Sequence, residues 1–352
     1  MKKIALIGST GSIGKQVIDV CRRYPEKFKI AALCAGSESE EFRAQVEELK
    51  PACYGVNDEN LAALDGVDLV FNAAGGFAGL KYSLAALKAG KTVALANKET
   101  LVCGGDIVLP LNGNIIPVDS EHSAIWQCLN YDRRTPVRRL IITASGGAFR
   151  GYPPEKLATV TPAEALNHPT WKMGKKITVD SATLVNKGYE VIEAHALYGT
   201  PYERIETVIQ PTSTVHSLVE FEDGAVLAQL GYPSMEVPIQ LALSFPDRLT
   251  TTVPRMDFTA AFNIEFQPLI RKNYPLYDLA LCCGEAGGIL PCAFNAADEI
   301  AVGAFLEGKI PFTGIYKVVE GALSKITNSA ADSYEKLCEV DLLARENAKK
   351  LI

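Results

Sequence analysis

The chain has 352 residues, which is too many for one ordinary hydrophobic core, so two or three domains are expected. Hydrophobic residues make up 48% and charged residues 22%, the balance of a globular protein, and a net charge of -6 without a basic block argues against nucleic acid as a partner. The nine cysteines include no C-x-x-C pair, which indicates free thiols and a cytoplasmic protein instead of disulfides or a structural zinc site.

Apolar runs alternate with helical patterns through the amino-terminal region. The first run, in MKKIALIG, is short and breaks at a glycine, so it predicts a buried strand and no signal peptide, and no membrane span is expected. Further strands are predicted at FKIAALCA, VDLVFNA, KTVALAN and GNIIPVD, with helices between them. This alternation predicts an α/β fold with a Rossmann-type, doubly wound parallel sheet.

A glycine-rich turn follows the first predicted strand. Gly8, Gly11 and Gly14 recur every three residues in GSTGSIG. Glycine there permits a tight turn and lets backbone amides approach a pyrophosphate at the start of a helix. Such turns also occur for structural reasons alone, but the position after the first strand favours a dinucleotide site.

Two carboxylates follow the strand GNIIPVD, where the carboxyl ends of parallel strands place ligands. A helix N-cap explains one of the carboxylates Asp119 and Glu121, but PVDSEHSAIWQCL contains no lysine or arginine to neutralise both, so the pair predicts a bound cation. Lys98, in ANKET, ends another strand at this edge. It is expected either to bind an anionic substrate or to be an ordinary solvated lysine.

The middle of the chain changes character. The strand VRRLIITA runs into Ser145, Gly146 and Gly147, a turn whose amides and hydroxyl are suited to a phosphate. The long polar loop 151–175 follows, and we name it the lid because it carries His168, Trp171 and other large side chains near its tip.

A helix is predicted to begin near Asp180 or Ser181. Asn186, Lys187 and Glu190 share one face of it by their spacing. Either they form a polar site or Lys187 and Glu190 are an exposed ion pair worth under about 1 kcal/mol.

Several extended motifs resemble the 1-deoxy-D-xylulose 5-phosphate reductoisomerase family. They occur in that family's order over nearly the whole chain, and the most specific are PVDSEHSAIWQCL and VDSATLVNKGYEVIEAH. The resemblance implies the metal-dependent rearrangement of 1-deoxy-D-xylulose 5-phosphate and its NADPH-dependent reduction to 2-C-methyl-D-erythritol 4-phosphate, a step of isoprenoid precursor biosynthesis. It also implies a sugar phosphate as the small-molecule ligand, no membrane partner and a homodimer.

Residue roles carry over from matching positions. The resemblance implies that Mg²⁺ or Mn²⁺ is held by Asp119, Glu121 and Glu190. It assigns the phosphate to Ser145, Ser181, Asn186 and Lys187, and the remaining substrate contacts to Lys98, Ser120, Glu121, Glu190, His168, Trp171 and Met173. Lys98, Glu121 and His168 are the catalytic candidates. His122 is expected to support the metal site or start a helix, His195 to pack or lie on the surface, and His216 to lie under the active site or in the core.

The resemblance also implies the cofactor residues, which are Gly8, Thr10, Gly11, Ser12, Ile13, Gly36, Ser37, Glu38, Asn97, Glu99 and Gly174. Glu38 departs from the family, which usually has asparagine there. An acidic residue in this region normally accepts hydrogen bonds from the ribose 2′-hydroxyl of NAD and repels the 2′-phosphate of NADPH. Either Glu38 weakens the preference for NADPH or it points to solvent and leaves Ser37 and Ser39 to the phosphate.

The expected domains are 1–122 for the dinucleotide, 123–257 for catalysis with the lid, a linker at 258–278 and a helical domain at 279–352. Two other functions stay open. A semialdehyde dehydrogenase-like enzyme would need a nucleophilic cysteine with a histidine partner, and Cys128 has no obvious activating neighbour in sequence. A non-catalytic nucleotide-binding regulator is disfavoured by the intact set of metal and phosphate residues.

Overall fold

Six strands of the amino-terminal region form one parallel sheet. The computed structural model describes residues 1–352. The strands are β1 (Lys2–Ile7), β2 (Phe28–Ala35), β3 (Cys53–Val56), β4 (Leu69–Asn72), β5 (Thr92–Leu95) and β6 (Ile115–Pro117). Their order, β3-β2-β1-β4-β5-β6, is that of a dinucleotide-binding doubly wound sheet, so the predicted fold class is confirmed.

Helices connect these strands. They are α1 (Ser12–Arg23), α2 (Glu40–Leu49), α3 (Gly79–Lys88), α4 (Glu99–Val108) and α5 (Ser120–Cys128). Each of the five predicted strands is present. Their side chains are almost all buried, which explains why these strands appear in the sequence as apolar runs. Strand β3 was not predicted, because its four residues are half-buried or exposed and show no apolar run.

A second, mixed sheet lies in the middle of the chain. Its strands are β7 (Arg139–Ala144), β8 (Ile205–Ile209), β9 (Val215–Glu220), β10 (Val226–Leu230) and β11 (Gln267–Pro268). Their order is β10-β9-β7-β8-β11, and only the pair β7 and β8 is parallel. Leu140 and Ile142 of β7 belong to one buried cluster with Val191 and Tyr277 from neighbouring helices.

The remaining helices are α6 (Pro154–Leu157), α7 (Pro162–Ala165), α8 (Lys175–Thr183), α9 (Val185–Tyr198), α10 (Glu236–Ser244), α11 (Pro275–Ala286), α12 (Leu290–Leu306), α13 (Gly314–Leu323) and α14 (Tyr334–Lys349). The prediction of a single helix that begins at Asp180 or Ser181 is wrong in two respects. The first helix, α8, begins earlier, at Lys175, and the helical conformation is interrupted at Leu184. That leucine has a φ of 60° in the left-handed region and separates α8 from α9. None of the helices combines the length and apolar character needed to cross a membrane.

The chain divides into two compact units. The first contains Met1–Leu101, Gly105–Ser123 and Ser234–Pro254, and the second contains Val102–Gly104, Ala124–Pro233 and Arg255–Ile352. The sequence assigned residues 234–254 to the middle domain, whereas here they pack in the first unit. The domain boundaries given in the sequence analysis remain a prediction.

Polar contacts explain why this segment joins the first unit. Arg23 of α1 donates to Glu236 of α10 at 2.5 Å, and Lys2 donates to the carbonyl of Leu243 at 2.8 Å. Burial opposes ionisation of Glu236, but hydrogen bonds from Thr251, Thr252 and Arg23 lower its pKa to about 2. The carboxylate therefore stays charged and holds α10 to α1.

Candidate active site

The glycine turn lies where β1 and β4 end side by side in the first unit. Gly8 has a φ of +78°, and a Cβ there would come within 2.4 Å of the Ala73 carbonyl oxygen. A Cβ on Gly14 would come within 2.2 Å of the Gly8 carbonyl oxygen. Both positions therefore require glycine, and the turn exposes the amino-terminal end of α1, which attracts anions. Thr10, Ser12 and Ile13 lie in this turn and are exposed or half-buried.

The end of β2 carries the residues predicted for the adenosine ribose. Gly36, Ser37 and Glu38 are all exposed. Arg43 on α2 donates to the Glu38 carboxylate at 2.8 Å. The sequence reasoning missed Arg43, although its spacing of five residues from Glu38 and the helix start at Ser39 were visible. The acidic charge that departs from the family pattern is paired with a cation on the same surface.

Asn97 and Glu99 follow β5. The Asn97 side-chain amide donates to the carbonyls of Ala74 and Gly76, at 2.9 and 3.0 Å, and to Glu99 at 2.8 Å. Its oxygen accepts from the amide of Thr100 at 2.9 Å. Asn97 is thus engaged in holding the loop after β4, and its direct contact with a cofactor stays a prediction.

Lys98 and the two predicted metal ligands of the first unit form one cluster. Since β5 and β6 are neighbours, their carboxyl ends bring Lys98 to Asp119, and the lysine ammonium donates to that carboxylate. Their side chains are 12% and 15% exposed, so Lys98 is not an ordinary solvated lysine. Ser120 donates to Glu121 at 2.5 Å, and the Glu121 amide donates to Asp119 at 3.2 Å.

The charge of Asp119 follows from its surroundings. Burial opposes ionisation, but Lys98 and then His122 hold the pKa of Asp119 well below its usual range. His122 is completely buried in α5 and close enough to influence that charge, so it supports the carboxylate. The basic partner absent from PVDSEHSAIWQCL is supplied for Asp119 by the neighbouring strand's loop.

In the second unit, His168 lies between the hydroxyls of Ser145 and Ser181. Its Nε2 atom is 3.0 Å from the Ser145 Oγ and 3.1 Å from the Ser181 Oγ. The backbone amides of Thr170 and Trp171 donate to Nδ1 at 3.1 and 2.9 Å. Because Nδ1 accepts, the proton of the neutral ring is on Nε2. The Nε2–H of the imidazole therefore faces the hydroxyl oxygens of both serines beside the turn after β7.

A guanidinium lies beside this cluster. Arg150 donates to the carbonyl of Ser145 at 2.5 Å. Burial, and then the charge of Arg150, lower the pKa of His168, so the ring is neutral at neutral pH. Sequence reasoning missed Arg150, although it stands three residues after Gly147 in TASGGAFR.

Asn186, Lys187 and Glu190 meet on α9 as their spacing predicts. Asn186 donates to Glu190 at 2.6 Å, and Lys187 donates to the other oxygen of the same carboxylate. The side chains of Lys187 and Glu190 are 5% and 1% exposed. The interpretation as an exposed ion pair is therefore wrong, because this face of α9 is covered by the fold.

The lid contains α6 and α7 and runs through Gly174, the N-cap of α8, to Lys175, the first residue of that helix. The Trp171 ring lies 6.2 Å from the ring of His216, a buried residue of β9. His216 is therefore a core residue that also packs beneath Trp171 of the lid. Met173 is half-buried, and a Cβ at Gly174 would meet nothing within 4 Å, so that backbone is open to a ligand. His195 is exposed and stacks on Tyr202 with ring centres 4.3 Å apart, so it lies on the surface and also packs.

The cysteines whose pKa is clearly shifted are not activated as nucleophiles. Burial raises the pKa of the Cys128 thiol to about 11, and that of Cys21 and Cys283 to about 12. A catalytic cysteine needs the opposite shift, because the thiolate is the reactive form. This disfavours the semialdehyde dehydrogenase alternative.

A cavity of about 260 Å³ also lies in the second unit. Its lining is mostly aromatic and aliphatic and includes Phe149, Tyr152, Tyr274 and Phe312. No lysine, arginine, aspartate or glutamate lines it, and none of the predicted site residues does. It therefore lacks the charges that a sugar phosphate requires.

Comparisons with known proteins agree on one family. The family model for 1-deoxy-D-xylulose 5-phosphate reductoisomerase matches residues 4–64 and 59–105, and models for its C-terminal domains match 115–198 and 230–347. Relatives with that enzyme's name are 44% identical in Acaryochloris marina, covering 98% of this chain and 94% of the relative, and 43% identical in Chlorobaculum tepidum, covering all of both.

Solved structures agree. The crystal structure of DOX-P reductoisomerase with NADPH, fosmidomycin and magnesium has a TM-score of 0.93 at 34% identity, covering 100% of this chain and 98% of the other. The Zymomonas mobilis 1-deoxy-D-xylulose 5-phosphate reductoisomerase with NADPH has a TM-score of 0.90 at 37% identity, covering 99% and 98%.

Proposed function

The chain belongs to the 1-deoxy-D-xylulose 5-phosphate reductoisomerase family, and we propose that Asp119, Glu121 and Glu190 hold the divalent metal ion of its reaction. The protein is an NADP-dependent oxidoreductase that converts 1-deoxy-D-xylulose 5-phosphate to 2-C-methyl-D-erythritol 4-phosphate, with NADPH and a divalent metal as cofactors. The assignment of roles to individual residues is our proposal.

The observation that carries the metal proposal is that two of the three carboxylates are shielded from water and each is paired with a lysine. Asp119 pairs with Lys98, and Glu190 pairs with Lys187. Oxygen ligands of this type suit Mg²⁺ and Mn²⁺, so the donor set fits the ion that the family requires. When bound, such an ion polarises substrate oxygens and stabilises negative charge that develops on them.

Both lysines are available to an anionic ligand when their carboxylates take another cation. Lys187 then binds the substrate phosphate together with Asn186, Ser145 and Ser181. A neutral His168 donates from Nε2 to the same group, which follows from the two backbone amides that fix its Nδ1 as an acceptor. Lys98 and Ser120 bind the substrate's oxygens nearer the reacting carbons. Binding of the remote phosphate contributes free energy that orients the reacting part of the molecule.

The lid completes this proposal. His168 accepts hydrogen bonds from the lid's own backbone at Thr170 and Trp171, so a ligand that orders His168 also orders the lid. Trp171 and Met173 then cover the substrate and exclude water from it.

The turn Gly8–Gly14 fits the pyrophosphate of NADPH, because the space that a Cβ would need at Gly8 and Gly14 is taken by backbone. Gly36, Ser37 and the Glu38–Arg43 pair lie at the end of β2, where the ribose of a dinucleotide is expected. Arg43 offers a positive charge for the 2′-phosphate, which supports NADPH at a position where Glu38 alone would oppose it.

The direct test mixes purified protein with 1-deoxy-D-xylulose 5-phosphate, NADPH and MgCl₂ and follows the nicotinamide absorbance. We expect oxidation of NADPH that requires the sugar phosphate and stops with EDTA. Loss of absorbance that continues at the same rate in EDTA would contradict the metal proposal. No oxidation under any metal condition would favour the nucleotide-binding regulator.

We also propose a homodimer and a cytoplasmic location. Edge strand β10 exposes Val226 and Leu227, at 48% and 49%, as expected of a strand that pairs with a second copy. All nine cysteines are free thiols, which suits a reducing compartment. Light scattering gives the mass in solution: a mass of 38.0 kDa would mean a monomer and contradict the dimer.

A further inference from the structure

A half-buried lysine with two buried carboxylate partners ties the end of the lid to the carboxyl-terminal helices. Lys176 lies in the first turn of α8, two residues after the last glycine of the loop. Its ammonium donates to Asp180 at 2.6 Å, one turn further along α8, and to Asp298 of α12 at 2.7 Å. Asp298 is completely buried, and the Asp180 side chain is 5% exposed.

Placing the charges of Lys176, Asp180 and Asp298 away from water is expected to cost folding free energy. Burial lowers the pKa of Lys176, but Asp180 and Asp298 together raise it above its usual value, whereas burial raises the pKa of Asp298. Two carboxyl groups therefore share one ammonium in a place shielded from water. Buried ion pairs of this kind often contribute little net stability, and hydrophobic replacements can equal them. Stability alone therefore does not explain why these three residues are placed together.

The position of the group supplies that reason. Asp180 directly precedes Ser181, whose hydroxyl faces His168 at 3.1 Å. The Lys176 ammonium also lies 5.4 Å from the centre of the Tyr189 ring, and Tyr189 directly precedes Glu190 on α9. One cation thus contacts the residues adjacent to a proposed phosphate ligand and to a proposed metal ligand.

A second contact links α12 to the same region. The Tyr189 hydroxyl donates to Asn295 of α12 at 3.2 Å. Asn295 and Asp298 lie three residues apart on α12, so one face of that helix reaches both α8, through Lys176, and α9, through Tyr189.

We infer that Lys176 and Asp298 are positioning residues for substrate binding, an inference that rests on the proposed phosphate site. Asp298 fixes Lys176, Lys176 fixes Asp180, and this fixes the direction of the Ser181 hydroxyl and the start of α8 on which the lid closes. The carboxyl-terminal helical region is then part of the substrate-binding machinery, although none of its residues contacts the substrate.

The test compares Asp298→Asn with Asp341→Asn. Asp341 lies on α14 in the same helical region, is 8% exposed and pairs with Arg345 at 2.7 Å, so it is a matched structural control. For each variant the KM for the sugar phosphate, the KM for NADPH, kcat and the thermal midpoint are measured. We expect Asp298→Asn to raise the KM for the sugar phosphate roughly tenfold or more, as small misplacements of binding groups do. Its KM for NADPH should not change.

Asp341→Asn should lower the thermal midpoint without changing either KM. If Asp298→Asn behaves in the same way, Asp298 is only structural and the inference is overturned. If Asp298→Asn does not fold, Lys176→Arg, which keeps the charge and changes its geometry, must give the same rise in one KM only. The variant Ser181→Ala distinguishes the proposed phosphate site from the proposed positioning role of Asp298. An unchanged KM for the sugar phosphate in Ser181→Ala refutes the phosphate site itself. A raised KM in Ser181→Ala with an unchanged one in Asp298→Asn refutes the positioning role alone.

Discussion

Replacing Lys187 with methionine tests the metal site through stability. The variant keeps an apolar chain of similar length but removes the cation beside Glu190, a carboxylate only 1% exposed. Asn186 still donates to it at 2.6 Å, but a neutral amide does not balance the charge. Removing one partner of a buried ion pair costs about 3–5 kcal/mol, because the other charge stays buried and uncompensated. For domains of this size the thermal midpoint should fall by roughly 6–20 °C in EDTA.

A metal at Glu190 should reverse much of this loss. An ion at a hundred times its dissociation constant stabilises the folded protein by about 2.7 kcal/mol, and the variant should gain more than the wild type because its carboxylate lacks the competing lysine. The assay is thermal unfolding followed by circular dichroism, in EDTA and in excess MgCl₂ or MnCl₂. Arg345→Met is the control, since it breaks partly buried ion pairs to Asp341 and Glu299, where no metal is assigned. If the loss in Lys187→Met is equally large with and without metal, Glu190 is not a ligand.

Four further outcomes are expected. Glu190→Gln, which keeps the size of the side chain but removes its charge, should abolish turnover while NADPH titrations show unchanged affinity; near-native turnover at limiting magnesium would remove Glu190 from the site. Protease cleavage in the lid should slow and Trp171 fluorescence should change when a phosphorylated substrate analogue binds, whereas equal cleavage rates would exclude ordering of the lid. Iodoacetamide at pH 7.5 should label the exposed Cys282 and spare Cys128, whose pKa near 11 keeps it protonated until the pH approaches that value; mass spectrometry showing fast labelling of Cys128 would revive the nucleophile hypothesis. Glu38→Asn should strengthen NADPH binding by about 1 kcal/mol or less and leave NADH unchanged, while equal NADPH affinity before and after places Glu38 away from the phosphate.

The amino-terminal sheet could be predicted because its signal is local. Buried parallel strands are continuous apolar runs, and the glycine turn follows the first of them. Strand β3 could not be predicted, because a short edge strand buries too few side chains to show a run of apolar residues in the sequence. The helix break at Leu184 was equally hidden, because leucine favours helices and gives no local signal of the left-handed backbone that it adopts here.

Within the site, spacing predicted which side chains share a face but not how deeply they are buried. Asn186, Lys187 and Glu190 were placed together correctly from their spacing, yet whether that face meets water depends on elements far along the chain. Lys98 was predicted at the sheet edge, but its pairing with Asp119 depends on β5 and β6 being adjacent. Periodicity reports the direction of a side chain, whereas its burial, and any charge partner on another element, depend on the tertiary fold.

The two lysine–carboxylate pairs explain how this chain can fold around anionic side chains before any metal binds. Asp119 and Glu190 would each carry an uncompensated charge in a shielded place, and Lys98 and Lys187 remove that cost. The same lysines are those that the family resemblance assigns to the substrate. If the proposed assignment holds, both ammonium groups can donate to an anionic ligand once the carboxylates bind a divalent ion, so occupation of the metal site and affinity for the sugar phosphate should rise together. By thermodynamic reciprocity the substrate then also favours the metal, and neither ligand binds at full strength without the other.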